Sequence, residues 1–318
     1  MSPDSQQDFS FAFLSILMEG IPFILLGTLI SGFIDVYLPA GTIDRLLPRN
    51  RVLSVWVAGL LGAILPVCEC AVVPVIRRLV SKGLPVSCAL TYMLAAPIVN
   101  PITALSTWKA FLGQEPEVMT LSRILLGYLV AVGVGWVALA FSNKKIIKAR
   151  LLEQITEQKM RESFIQPAQQ QVVCPPPQPG DRLVAAFRSA VKDFVEVGVY
   201  FTIGVAITAL FNTGIAPGAA WLDGLATNQT IAPAALMVLA FILSLCSTSD
   251  AFIAATLDKF TWAAKLAFLT FGPMMDMKLI FLYQTVLRRS FILWMAIGIF
   301  LTIWLCSMVL QSFVFSSP

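Results

Sequence analysis

Six apolar runs, each long enough to cross a bilayer, constrain this chain more than any other feature of it. A spanning helix needs about 20 apolar residues. Such runs extend from Phe9 to Phe33, Pro85 to Leu112, Leu121 to Phe141, Val191 to Phe211, Ala264 to Leu287 and Phe291 to Phe313. Only 13% of the 318 residues are charged, against roughly 25% in soluble domains, so a water-soluble globular fold is excluded. The expected class is all-α, a polytopic membrane protein. The N-terminal MSPDSQQDF lacks the basic stretch of a signal peptide, so insertion is expected to come from the spans themselves.

Charge placement narrows the function. The segment from Asn143 to Arg188 holds eight Lys/Arg and four Asp/Glu, which accounts for the whole net charge of +4. A basic nucleic-acid face is therefore excluded, because the excess sits in one short stretch. Between Asn143 and Asp181 the apolar pattern gives way to Lys, Gln, Glu and a CPPPQPG run, the composition of a linker. The expected organisation is a first membrane repeat over 1–142, a hydrophilic linker over 143–187 and a second membrane repeat over 188–318. The chain has no histidine, which removes Ser-His and Cys-His catalysis and imidazole metal sites. No Walker-type GxxxxGK[ST] occurs either. A transporter is expected rather than an enzyme, with no cofactor, and six cysteines are too few for a disulfide scaffold.

The halves match in sequence. At an offset of 177 Glu19 falls on Glu196, Phe23 on Tyr200 and Gly27 on Gly204; at 176 Cys70 falls on Cys246, Leu90 on Leu266, Pro97 on Pro273 and Asn100 on Asp276. A shared register of Glu, Gly, Cys and Pro predicts a duplicated unit. Two further apolar regions, Val52 to Val80 and Ile231 to Leu257, are interrupted by Pro66-Val-Cys-Glu-Cys70 and Cys246-Ser-Thr-Ser-Asp250. If both are ordinary crossings, the repeats are parallel. If both are re-entrant hairpins, each half has three full spans and the second half is inverted. By the Lys/Arg distribution, the inverted arrangement misplaces only Lys109, Arg123, Lys259 and Lys265, against seven cations in the parallel one. The inverted arrangement is therefore the expected fold, with the linker cytoplasmic.

Unwound backbone at membrane depth survives only inside protein or beside a water-filled cavity, so the two interruptions predict a central cavity. Pro66 is expected to stop one half-helix and to place Cys70 at the N-terminus of the next, facing the positive end of its dipole. Cys68, Cys70 and Cys246 are expected to converge as ligands; sulfur without histidine selects soft species such as Cu(I) or trivalent arsenic. Ser247, Thr248 and Ser249 offer short oxygen side chains, either to solute or as helix caps. Glu19, Glu69, Glu196, Asp250, Asp276 and Lys278 are the ionisable groups expected within the apolar regions, and so the candidates for ion coupling. Lys278 is expected to neutralise Asp276 or Asp250 if its role is structural. APIVNP, around Asn100, predicts a helix break.

The stretches PVCECAVVPVIRRLVSKGLP (Pro66–Pro85), LAAPIVNPI (Leu94–Ile102) and CSTSDAFIAA (Cys246–Ala255), with the duplicated layout, resemble the DUF318 (UPF0718) predicted permeases, which include the organoarsenical efflux permeases. The similarity covers nearly the whole chain. It implies an inner (plasma) membrane permease that moves a small solute or soft ion by efflux. It further implies that Cys68, Cys70 and Cys246 are thiol ligands for trivalent methylated arsenicals, with Asn100 and Asp250 as polar motif residues. The expected partners are the lipid bilayer, the solute and, for assembly, a second copy of the chain. A reading of a different class stays open: a membrane thiol-disulfide electron carrier with Cys70 and Cys246 as its redox pair.

Overall fold

The computed structural model describes residues 3–38, 47–64, 67–141, 146–148, 153, 156, 179–215, 228 and 230–313. Pro66, Arg45, Cys174 and most of the expected linker lie outside the described residues. The described chain is all-α, with one isolated antiparallel bridge between Ile147 and Leu287.

Among the described residues, six helices precede the expected linker: α1 (Pro3–Tyr37), α2 (Arg51–Ile64), α3 (Glu69–Ser81), α4 (Val86–Ala95), α5 (Pro101–Ala110) and α6 (Pro116–Ala140). Six follow it: α7 (Pro179–Ile215), α8 (Ile231–Leu243), α9 (Asp250–Thr256), α10 (Trp262–Met274), α11 (Met277–Tyr283) and α12 (Arg289–Phe313). Because α7 begins at Pro179, its first turns occupy sequence expected to be linker.

Among the described residues, five stretches are long and apolar enough to cross a membrane: Gln7–Tyr37, Pro116–Ala140, Arg182–Leu210, Trp262–Tyr283 and Arg289–Ser312. The sixth expected span, Pro85–Leu112, is instead two ten-residue helices, α4 and α5. Pro97 and Pro101 account for the break: neither can donate a helical hydrogen bond, and the residue before a proline avoids the helical region. Asn100, extended at φ −121°, caps α5 by accepting from Ile102 N at 2.9 Å. Asp276 does the same for α11, accepting from Leu279 N at 2.7 Å.

Burial separates two kinds of helix. Along α12 only 28% of the apolar stretch is buried, and Trp294, Ile297, Leu301, Leu305 and Val309 stand exposed three or four residues apart. Soluble proteins rarely expose so continuous an apolar stripe, so this is a lipid-facing side. Across Trp262–Tyr283 the buried share is 83%, which makes α10 and α11 an interior pillar.

Side-chain pairs fix the directions of the helices. α1 and α7 run antiparallel, because Gly20 meets Phe201 whereas Ser31 meets Asp193 and Phe33 meets Phe187. α2 runs alongside α4, with Ser54 beside Cys88 and Gly62 beside Ala96. α6 returns against α4, since Gly127 meets Ile98 and Gly135 meets Thr91. α12 returns against α10, with Gln311 at Thr261 and Phe300 at Phe271.

Two glycines set how closely the long pair lies on its neighbours. A Cβ on Gly27 would sit 2.6–2.8 Å from the Cβ, O and Cα of Ala71 on α3, and one on Gly204 would sit 3.0 Å from the Cα of Lys278 on α11. Backbone at such distance cannot yield cheaply, and overpacking of this kind costs about 1–3 kcal/mol. Gly27→Ala is therefore expected to lower the melting temperature in detergent, whereas Gly198→Ala, whose Cβ meets nothing within 4 Å, leaves it unchanged or higher.

Candidate functional site

The breaks between half-helices meet in the interior and bring most of the predicted polar residues together. Cys68 precedes α3, Glu69 is its first residue, and Pro74 within the helix denies Cys70's carbonyl its helical donor. Opposite, α8 ends at Leu243, Ser244 takes the left-handed conformation at φ 47°, and residues 245–249 lead to Asp250 at the start of α9. One cavity is lined by Cys68, Glu69, Cys70, Cys246 and Lys278, together with Glu19 and neighbours on α1 and Phe201 on α7. Its free space is about 10 Å³, roughly one water molecule's worth, so the site is narrow, with Glu19 and Phe23 on its exposed side.

Around the cavity runs a chain of buried charge. Lys278 Nζ donates to Ser244 O at 2.8 Å and lies 3.5 Å from both Glu69 Oε1 and Asp276 Oδ2. The other Glu69 oxygen accepts from Ser247 Oγ at 3.2 Å. Ser247's carbonyl in turn accepts from Arg123 Nη2 at 3.0 Å, and the same nitrogen reaches Asp250 Oδ2 at 2.7 Å. Thr107 Oγ1 accepts from Arg123 Nη1 at 2.7 Å. Asp276, Lys278, Glu69, Ser247, Arg123 and Asp250 therefore form one connected path, and none exceeds 3% exposure. Buried ions persist only when paired and hydrogen-bonded.

Several sequence expectations are refined here. Lys278 pairs with Asp276, as expected, and with Glu69 rather than Asp250. Asp250 belongs to Arg123, which the orientation count had treated only as a misplaced cation. The sequence signal existed: with the helix beginning at Pro116, Arg123 lies two turns inside an otherwise apolar helix, whereas a span drawn from Leu121 leaves it at an end. The Ser-Thr-Ser hydroxyls do not cap α9. Ser247 goes to Glu69, Ser249 to Glu19 Oε1 at 3.2 Å, and Thr248 to Cys246 Sγ at 3.6 Å.

Asn100 serves α5 as its cap, away from the thiol cavity. Glu196 is also elsewhere, paired with Arg77 Nη1 at 2.7 Å. Next to it lies a second cluster that the sequence did not single out. Arg78 contacts Asp193 at 2.9 Å and Asp35 at 3.2 Å, with Ser31 donating to Asp193 and Ser189 to Asp35. It ties α1, α3 and α7 together at the end where α1 finishes and α7 begins.

The three candidate thiols share the cavity, yet among the described residues no group of three or more Cys, Asp or Glu is arranged to hold a metal ion. All five described cysteines are free, Cys70 and Cys246 included.

An all-α chain with lipid-facing helices, paired breaks and a buried polar path defines a polytopic membrane transporter. Residues 7–312 match the family model described as "Predicted permease", and the chain belongs to that family. It is 32% identical to "UPF0718 protein YcgR" of Bacillus subtilis over 291 residues, 88% of this chain and 89% of the relative. It is 33% identical to a Streptococcus mutans protein named "Putative two-component membrane permease complex subunit" over 282 residues, 88% of this chain and 87% of that one. No solved structure matches the chain.

Proposed function

We propose that this permease exports a small, soft, thiol-reactive solute, of which a trivalent organoarsenical is the type case, by alternating access coupled to protons. The observation that carries this reading is the placement of Cys68, Cys70 and Cys246 with Glu19, Glu69 and Lys278 around one narrow cavity. Each arsenic-sulfur bond formed from a hydroxylated arsenical replaces an arsenic-oxygen bond, and the thiol proton leaves with the oxygen as water. Neutral thiols and expulsion of water suit a dry site.

The expected inverted repeat supplies the motion. Six described helices stand on each side of the linker, and α1 and α7, which occupy equivalent places, run antiparallel. The pairs α2·α4, α4·α6 and α3·α4 recur as α8·α10, α10·α12 and α9·α10. In this reading α2 and α3 enter from the cytoplasm to mid-membrane and return, and α8 and α9 do so from outside. Among the departures of the bundle from two-fold symmetry, α1 rests on α3 and α7 on α11, whereas the related pairs α7·α9 and α1·α5 are absent from the main packing. Exchanging the roles of the halves therefore gives the second state, with α1 against α5 and α7 against α9.

The Arg78 cluster then closes the cytoplasmic side. Arg78→Ala strips a buried Asp193, 3% exposed, of its cation. The expected result is faster alkylation of Cys70 by a charged maleimide applied from the cytoplasmic face, and an unchanged rate would remove the gate from the mechanism. The function itself is tested in everted vesicles offered trivalent arsenicals, copper, cadmium and small thiols. Accumulation of a thiol-reactive solute above vesicles lacking the protein is expected, and none for any of them would contradict export.

A further inference from the structure

The Lys278 ammonium lies where a transporter with broken helices commonly holds a coupling cation. Four oxygens surround Nζ: Ser244 O at 2.8 Å, Leu245 O at 3.4 Å, Glu69 Oε1 at 3.5 Å and Asp276 Oδ2 at 3.5 Å. Two are carbonyls just beyond the C-terminus of α8, the negative end of its dipole. The other two are carboxylate oxygens that are fully buried and have no hydrogen-bond partner; the ammonium is what they face. On the α7 side Gly204 lies against the Lys278 backbone, and Phe201 lines the same cavity. The remaining neutral or ionisable groups lining the same cavity are Cys68, Cys70, Cys246 and Glu19, and the Tyr283 hydroxyl is committed to Met274 O.

We propose that these oxygens form a monovalent-cation seat and that Lys278 fills it as a tethered ammonium, so that the native protein needs no sodium ion. Two carboxylates on one lysine leave the seat one negative charge in excess when all three are ionised. A proton on either carboxylate removes that excess, which identifies the ion that the pathway exchanges. The proposal rests on the permease reading for its role in coupling. Its test measures ion binding alone and so leaves that reading untouched if it fails.

The test is thermal unfolding of the purified full chain in detergent, in sodium, potassium or choline chloride at one ionic strength. Wild type is expected to melt at the same temperature in all three. Lys278→Ala, which empties the seat but keeps its oxygens, is expected to gain a saturable sodium or potassium stabilisation of several degrees. Lys278→Met, which refills the space with apolar atoms, should gain none. A folded Lys278→Ala protein indifferent to both cations overturns the proposal, as does a saturable sodium response in wild type. If Lys278→Ala aggregates, Lys278→Ala with Asp276→Asn leaves one carboxylate to match one cation. Recovery of that protein only in sodium or potassium supports the seat, and aggregation in all three salts overturns it.

Discussion

Cys68→Ser and Cys70→Ser are each expected to lower flux of a trivalent arsenical by more than tenfold, with the protein still inserted at wild-type abundance. Serine keeps the volume but exchanges a soft sulfur donor for a hard oxygen, and each ~1.4 kcal/mol of lost ligation is a factor of ten. Both residues line the narrow cavity. Cys306→Ser is the control, because Cys306 lies half-buried on α12 away from that cavity. Cys88→Ser serves equally, since a hydroxyl there can still donate to Ser54 Oγ, which Cys88 Sγ now reaches at 3.4 Å. Wild-type flux in both cavity variants would remove thiol ligation from the mechanism.

The second large effect is on folding. Arg123→Ala leaves Asp250, 3% exposed, without its cation, and breaking one partner from a buried pair costs about 3–5 kcal/mol. A substantially lower melting temperature in detergent is expected. Arg123→Lys should recover only part of it, because a point charge cannot reproduce the fork that reaches Thr107, Ser247 and Asp250 together. Adding Asp250→Asn to Arg123→Ala removes the orphaned charge and is expected to restore stability more than flux, because the polar path through Ser247 stays broken. An Arg123→Ala protein that melts like wild type would mean that Asp250 finds water or another partner.

What the sequence made legible follows from contrast. An ionisable residue within an apolar run stands out, so Glu69, Asp250, Asp276 and Lys278 were visible, and so were the breaks at Cys68–Cys70 and Cys246–Asp250. Their partners were not. Whether Lys278 meets Asp250 or Glu69 depends on which hairpin tip approaches α11, and no spacing along the chain encodes that. Arg123 was missed because a span boundary drawn two residues away made it look like an interfacial charge. Arg77 and Arg78 were read only for orientation, although their acidic partners, Asp35, Asp193 and Glu196, come from two other helices.

The register of the tips was also beyond the sequence match. Cys70 lies in the first turn of α3, whereas Cys246 lies ahead of α9, its carbonyl accepting from Ser249 N and Asp250 N in the turn that leads into that helix. The first residues of the two returning helices are Glu69 and Asp250, each held by a buried cation. Common to those two places is a carboxylate paired with a cationic side chain, while the thiols are distributed unequally around the cavity.

The central claim is that the cavity thiols are the solute site, and protection from alkylation tests it most directly. Membranes holding the full chain are treated with phenylarsine oxide, alkylated with N-ethylmaleimide, and each cysteine is quantified by mass spectrometry. The account predicts that one equivalent of the arsenical, whose arsenic exchanges its oxygen for two sulfurs, protects two of Cys68, Cys70 and Cys246 and that a competing dithiol reverses this, with Cys306 alkylated as before. Equal alkylation of all four with and without the arsenical would contradict it.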